Sequence, residues 1–94
     1  MKRTVVFRSS FDRLYKKLDV KDKLRVEKAI DHFLAAIEQG EIPKGLGLKR
    51  LKDDLWEIRV DMSLRVSFRM KRGIVEFGLV GDHEEIRKYL RNYK

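Results

Sequence analysis

Four residues in the second half of the chain have types that could act together on an anion: Glu57, Arg59, Arg65 and His83. Guanidinium groups donate hydrogen bonds in a fixed plane and suit phosphate. Histidine is the natural proton donor or acceptor near neutral pH, and a carboxylate can take a proton. Whether the four meet depends on strand register.

Three segments alternate with the period of a half-buried strand. Trp56, Ile58 and Val60 point one way, opposite Leu55, Glu57 and Arg59. Leu64, Val66, Phe68 and Met70 share a face, opposite Arg65, Ser67 and Arg69. Val75, Phe77 and Leu79 share a face, opposite Glu76 and Gly78. A turn at Asp61-Met62-Ser63 pairs Val60 with Leu64, Ile58 with Val66 and Trp56 with Phe68. A turn at Arg72-Gly73 pairs Met70 with Val75, Phe68 with Phe77 and Val66 with Leu79, and Gly73 supplies the positive φ that such a turn needs. Slipping the register by one residue would bury Arg65 and Arg69, so this pairing is strongly preferred.

The same register sets Arg59 against Arg65, Glu57 against Ser67, and Arg69 against Glu76 as a cross-strand ion pair. Like charges opposed across two strands destabilise a sheet. Two readings are open: an anion sits between the arginines, or Glu57, Asp61 or the C-terminal segment neutralises them. Val80 should pair with Arg65, which brings His83 out beside the arginines in the first turn of a last helix. That helix is capped by Asp82 with Glu85 as its capping-box partner, and Ile86, Tyr89, Leu90 and Tyr93 form its apolar side. A helix N-terminus can bind phosphate, although Glu84 and Glu85 already place negative charge there.

Upstream, Thr4 to Arg8 reads as a strand. Ser9 with Asp12 resembles a capping box for a short helix carrying Phe11, Leu14, Tyr15 and Leu18. Asp19 with Asp22 caps a longer helix, whose stripe of Val20, Leu24, Ile30, Phe33, Leu34 and Ile37 should end near Gly40. Pro43 lies in the loop from Gly40 to Gly47, and Gly47 to Lys52 is a weaker strand. His32 is a surface or boundary residue. The expected architecture is α+β: an N-terminal strand, two helices, an antiparallel meander of three to four strands, and a C-terminal helix.

Ninety-four residues make one domain, residues 1–94. The net charge of +8 favours polyanions or an acidic protein partner. Although 40% of residues are charged, 43% are hydrophobic and spread along the chain, which argues against disorder. The absence of cysteine excludes disulfides and Cys-based zinc sites, and fits a reducing cytoplasm. No apolar run approaches a membrane span. The N-terminus opens like a signal peptide, but its apolar stretch stops at Arg8. The two histidines have no metal-ligand spacing, and no HExxH motif, glycine-rich phosphate loop or Ser-His-Asp arrangement is present.

The order of elements resembles the RelE/ParE superfamily of toxins from type II toxin–antitoxin systems, on its RelE/YafQ-like ribonuclease branch. The resemblance rests on the Leu55-Trp56-Glu57-Ile58-Arg59-Val60 and Leu64-Arg65-Val66-Ser67-Phe68-Arg69 strands and on Leu79 to Ile86. It implies a RelE-like fold and a cytoplasmic, metal-independent endoribonuclease that needs no cofactor. Its substrate would be mRNA on the ribosome, and an acidic antitoxin protein would hold it inactive. Carried over by position, Arg65 matches the arginine on the scissile phosphate, His83 an acid or phosphate ligand, and Arg59 a basic strand residue. Tyr89 falls near a tyrosine that stacks or aids acid–base work. Several members carry lysine at the position of Glu57, so here either a cationic contact is removed or a carboxylate base is supplied, which would take the 2′-OH proton. The expected catalytic set is therefore His83, Arg65, Glu57 and Tyr89, with RNA held by Arg59, Arg65, Arg69 and Lys52. The alternatives are a gyrase-targeting toxin of the same superfamily and a non-catalytic basic module that binds RNA or the ribosome. The long helix and the first strand are both candidate docking edges for the antitoxin.

Overall fold

The computed structural model describes residues 3–91; Tyr93, expected on the last helix, lies outside them. The elements run β1 (Thr4–Phe7), α1 (Ser9–Lys16), α2 (Val20–Glu38), β2 (Lys49–Lys52), β3 (Leu55–Arg59), β4 (Leu64–Lys71), β5 (Ile74–Asp82) and α3 (His83–Arg91). They build one five-stranded sheet in the order β1-β5-β4-β3-β2. The expected meander is β2 to β5. To it β1 adds a parallel edge strand, pairing Val5 with Val75 and Phe7 with Phe77.

Alternation drives the packing. Ile58, Val66, Phe68, Val75, Phe77 and Val80 turn to one face and are fully or almost fully buried. Against them pack Phe11 and Leu14 of α1 and Val26, Ala29, Ile30 and Phe33 of α2. Phe33 meets Phe68 with ring centroids 4.6 Å apart, and Phe68 meets Phe77 at 5.7 Å. Tilted pairs at such distances add to simple area burial. Tyr15 links the two helices by donating to Glu27 at 2.8 Å. Partial burial, then this carboxylate, push its phenol pKa up.

Local signals explain most boundaries. Asp19 accepts from the Asp22 N–H at 2.8 Å and starts α2. Gly40, at φ +73°, lets the chain leave that helix just beyond its end. Two corrections concern the helices. The Ser9–Asp12 capping box does not form: α1 begins at Ser9, with Arg8 at the cap position and no side-chain cap. The neighbouring Ser10 hydroxyl instead donates to Gly78 O at 2.6 Å, pinning α1 to β5. On α2 the buried face runs through Val26, Ala29, Ile30 and Phe33, and Val20 and Leu24 of the expected stripe are exposed.

The β3–β4 pairing matches the expected register throughout, from Trp56↔Phe68 to Arg59↔Arg65. The β4–β5 pairing matches from Lys71↔Ile74 to Phe68↔Phe77 and then shifts. Gly78 is an extra residue in β5, so Ser67 pairs with Leu79, Val66 with Val80 and Arg65 with Gly81. This is a β-bulge, and a residue without a side chain accommodates it readily. It corrects two expected pairs, Val66–Leu79 and Arg65–Val80. Val80 turns into the core in place of Leu79, which moves to the other face. No helix among the described residues is long and apolar enough to cross a membrane.

Candidate nucleic-acid interface

The face opposite the core is laid out in rows by the register. One row holds Arg59, Arg65 and Gly81; the next holds Lys49, Glu57, Ser67 and Leu79; a third holds Leu55, Arg69 and Glu76. Rows two residues apart along a strand lie about 7 Å from each other.

The hairpin turn fixes the first row. Asp61 Oδ1 accepts from the backbone N–H groups of Ser63 and Leu64, both at 2.8 Å. These two bonds, with the Leu64 contribution larger, hold the Asp61 carboxyl below its ordinary pKa. Its other oxygen meets Arg25 of α2 at 3.3 Å. Asp61 thus shapes the turn that sets Arg59 opposite Arg65, and its ion pair is made with Arg25.

The two arginines differ sharply. Arg65 donates through Nη1 to Glu57 Oε2 at 2.9 Å, and the Glu57 side chain is only 5% exposed. A buried carboxylate is tolerated when it is paired in this way. Neutralisation by Glu57, one of the two open readings, therefore holds for Arg65. Its Nε is buried and donates to no acceptor among the described residues. Arg59 is exposed and makes no ion pair among the described residues. Its backbone N–H donates to Leu46 O, and its side chain lies against Gly47, where a Cβ would come within 3.3 Å of the guanidinium. Gly47, at φ +56°, thus serves both the loop conformation and the seating of Arg59.

His83 is the first residue of α3 and is exposed. The capping box behind it forms as expected: Asp82 Oδ1 accepts from the Glu85 N–H at 2.8 Å, and Glu85 Oε1 accepts from the Asp82 N–H at 3.4 Å. Because the bulge brings Gly81 opposite Arg65, His83 follows two residues after the strand partner of that arginine. A Cβ on Gly81 would meet the Glu85 side chain at 3.3 Å, so the glycine lets the cap fold over this row.

The remaining expected residues lie elsewhere. Tyr89 is six residues beyond His83, about 9 Å along the helix axis. It borders a cavity of about 210 Å³ shared with Arg8, Leu55, Arg69, Glu76 and Leu79. Arg69 occupies the expected place opposite Glu76, but a carboxylate from the β2–β3 turn, Asp54, forms an ion pair with it. Glu76 meets Arg8 at 3.5 Å. Lys52 is exposed on the edge strand β2, paired with Leu55. The structure therefore brings Glu57, Arg59 and Arg65 together with His83 at the adjoining strand end, and sets Arg69 and Tyr89 around a separate cavity. Arg8 and Asp54 were not among the expected site residues. Arg8 reaches this face only through the long-range β1–β5 pairing, and Asp54 only through its turn.

The sequence matches no protein-family model and no curated protein. The fold, however, is shared with solved toxins. The chain is similar to a structure of the E. coli DinJ–YafQ toxin–antitoxin complex at TM-score 0.76 and 10% identity, over 92% of this chain and 98% of that one. It is similar to the RelB–RelE antitoxin–toxin complex from Methanococcus jannaschii at TM-score 0.70 and 16% identity, over 89% and 96%. It is similar to the YoeB dimer from Staphylococcus aureus at TM-score 0.67 and 16% identity, over 88% and 99%. The fold is RelE-like along nearly the whole chain.

Proposed function

We propose that this chain is the toxin of a type II toxin–antitoxin pair: a cytoplasmic, metal-independent endoribonuclease that cleaves mRNA on the ribosome. The observation that carries the reading is the opposed pair Arg59 and Arg65, one exposed and one held by a buried carboxylate, with His83 at the end of the adjoining strand. The reaction that suits these groups is internal transfer. The RNA 2′-OH attacks the adjacent phosphorus, the P–O5′ bond breaks, and a 2′,3′-cyclic phosphate and a 5′-hydroxyl result. Arg59 and Arg65 stabilise the charge that builds on the pentavalent phosphate. His83 gives its proton to the leaving 5′-oxygen.

Glu57 was expected to take the 2′-OH proton. Its burial and its bond to Arg65 work against that task and suit another. It holds the guanidinium fork flat against the sheet, and the 2′-OH proton passes to water. Arg69, Lys52 and Tyr89 contact the RNA away from the scissile phosphate. An acidic antitoxin suits a chain of net charge +8. The similar YafQ and RelE structures are themselves of toxin–antitoxin complexes.

The neutralisation of Arg65 favours one other reading, a non-catalytic module that binds RNA or the ribosome through Arg59 and its neighbours. Induced expression of wild type and His83→Ala, with mapping of cellular RNA ends, separates the two. Growth arrest with new 5′-hydroxyl ends in wild type, and their loss in the variant, is the expected result. Binding to RNA without new ends selects the module. Unchanged cleavage in the variant removes His83 from the mechanism.

A further inference from the structure

Arg59 and Arg65 face each other across β3 and β4, yet only Arg65 is fixed by an opposite charge. What fixes Arg59 is a gap. Lys49 pairs with Glu57, so counting two residues further along the chain on each side brings Gly47 beside Arg59. Arg59 therefore stands between Arg65 and a residue without a side chain. Its guanidinium lies on the glycine side: a Cβ on Gly47 would come within 3.3 Å of both Nε and Nη2, and within 3.4 Å of the Arg59 Cβ. These distances are shorter than comfortable non-bonded contact, so a side chain at this position would displace the arginine.

The floor of the gap is anchored. Leu46 is buried in the hydrophobic core, and its carbonyl accepts from the Arg59 N–H. Gly45 and Gly47 flank it at φ +81° and +56°, conformations that favour glycine and let Leu46 turn inward between them. The backbone under the guanidinium is thus tied to the core and to β3 at once.

This way of holding an arginine has a chemical consequence. A carboxylate fixes a guanidinium but offsets its charge, as Glu57 does for Arg65. A shaped gap fixes it and leaves the charge whole. A loose arginine loses much rotamer freedom when a ligand orders it, and a side chain already seated loses less. The seat also lies on the side of Arg59 away from Arg65, which eases the opposition of like charges.

Resting on the reading of the two arginines as a phosphate site, we infer that Gly47 is a positioning residue of that site: the gap it leaves holds Arg59 ready for an RNA phosphate. Gly47 acts through Arg59 and has no contact of its own with RNA.

The test measures binding of a short fluorescent RNA, made uncleavable by 2′-O-methyl sugars, by anisotropy over a range of salt concentrations. Gly47→Ala should weaken binding about fivefold. Its salt dependence should also become shallower, by up to about one counterion. The substitution removes no charge, so a changed salt slope reports a displaced cation. Gly45→Ala is the control: it puts alanine at a left-handed φ with nothing within 4 Å of the new Cβ. It should bind within about twofold of wild type and keep the full slope. Gly47→Asn carries the same Cβ and tolerates the backbone conformation better; it should match Gly47→Ala, and it decides the matter if the alanine variant does not fold. In an Arg59→Ala background, Gly47→Ala should add no further loss. Wild-type affinity in the Gly47 variants, an equal loss in Gly45→Ala, or a loss that persists without Arg59 overturns the positioning role and leaves the phosphate site intact. If Arg59→Ala binds like wild type, or wild type does not bind the RNA, both readings fall.

Discussion

The two faces of the sheet use the same strands in opposite ways. On the core face, Ile58, Val66, Phe68, Val75 and Phe77 are all fully buried and carry no polar side-chain atom. On the outer face the same strands carry Ser67, the paired charges Glu57, Arg65, Arg69 and Glu76, and the exposed Arg59, which makes no ion pair among the described residues. The core face decides the register, because a slip of one residue would exchange the two faces. The outer face inherits its geometry from that decision. An arrangement costly in itself, two arginines opposed, is held in place by apolar contacts on the far side of the backbone.

Substitutions at four positions break or sharpen this contrast. The largest effect is expected on the core face. Phe68→Ala removes a fully buried ring that touches Phe33 and Phe77, and should cost about 3–5 kcal/mol in urea unfolding, a large share of a small domain's stability. A cost below about 1 kcal/mol would show that this ring does not anchor the register.

Next comes the one place where the outer face behaves like a core. Glu57→Ala leaves Arg65 without its carboxylate and should cost about 2 kcal/mol, less than a fully buried pair because the Arg65 side chain is 19% exposed and can relax toward water. Glu57→Gln keeps an acceptor oxygen for Arg65 but cannot take a proton. If Glu57 holds the fork, the glutamine variant should recover much of the cleavage that alanine loses, with the pH profile unchanged. If Glu57 is the base, both variants should be equally inactive and the acid-side limb of the pH profile should differ from wild type.

Asp61→Ala comes third, at about 1 kcal/mol at pH 7, since it removes the acceptor for two turn N–H groups. The sign of its pH dependence follows from the lowered carboxyl pKa. A group whose folded-state pKa is depressed stabilises above its unfolded value, near pH 4, and that stabilisation disappears as pH falls through the folded value. The gap between wild type and variant should therefore close below about pH 4. A gap that stayed constant down to pH 2 would contradict it.

Arg59→Ala should move stability least, within about 0.5 kcal/mol, because the side chain is exposed and makes no ion pair among the described residues. Its effect should fall on binding: weaker affinity for RNA and a salt dependence shallower by about one counterion. An unchanged salt slope would remove Arg59 from the phosphate site.

The outer face was legible wherever alternation continued unbroken. Arg59 opposite Arg65 and Glu57 opposite Ser67 follow from the pattern of Ile58, Val60, Leu64 and Val66 alone. The turn at Arg72-Gly73 was equally legible, and both residues have positive φ. Legibility ended at Gly78, because Leu79 and Val80 are both apolar and either can serve as the inward residue. It ended again at β1, whose partner is nearly the whole chain away: nothing local in Thr4 to Phe7 says that Arg8 will meet Glu76. The cavity depended on both, so no segment read by itself could reveal it. Ser9 and Ser10 are adjacent hydroxyls, and only the approach of Gly78 O decides which is used. The pairing of Arg65 with Glu57 was foreseen as one of several neutralising partners, but its burial was not. Burial there depends on the strands on both sides, where Glu57 lies between Lys49 of β2 and Ser67 of β4.

The bulge at Gly78 makes β5 a strand with two phases. Before it, odd-numbered residues from Val75 to Phe77 point into the core; after it, even-numbered Val80 does. The β4–β5 turn and the start of α3 are thereby offset by one residue, like two rulers joined with a shim. Deleting Gly78 would join the two phases into one regular strand: Phe77 and Val80 would both still point inward and Gly81 would still face Arg65. What it would take away is the carbonyl that receives the Ser10 hydroxyl and pins α1 to β5. The harm of that deletion should therefore fall on the seat of α1 and spare the register and the place of His83.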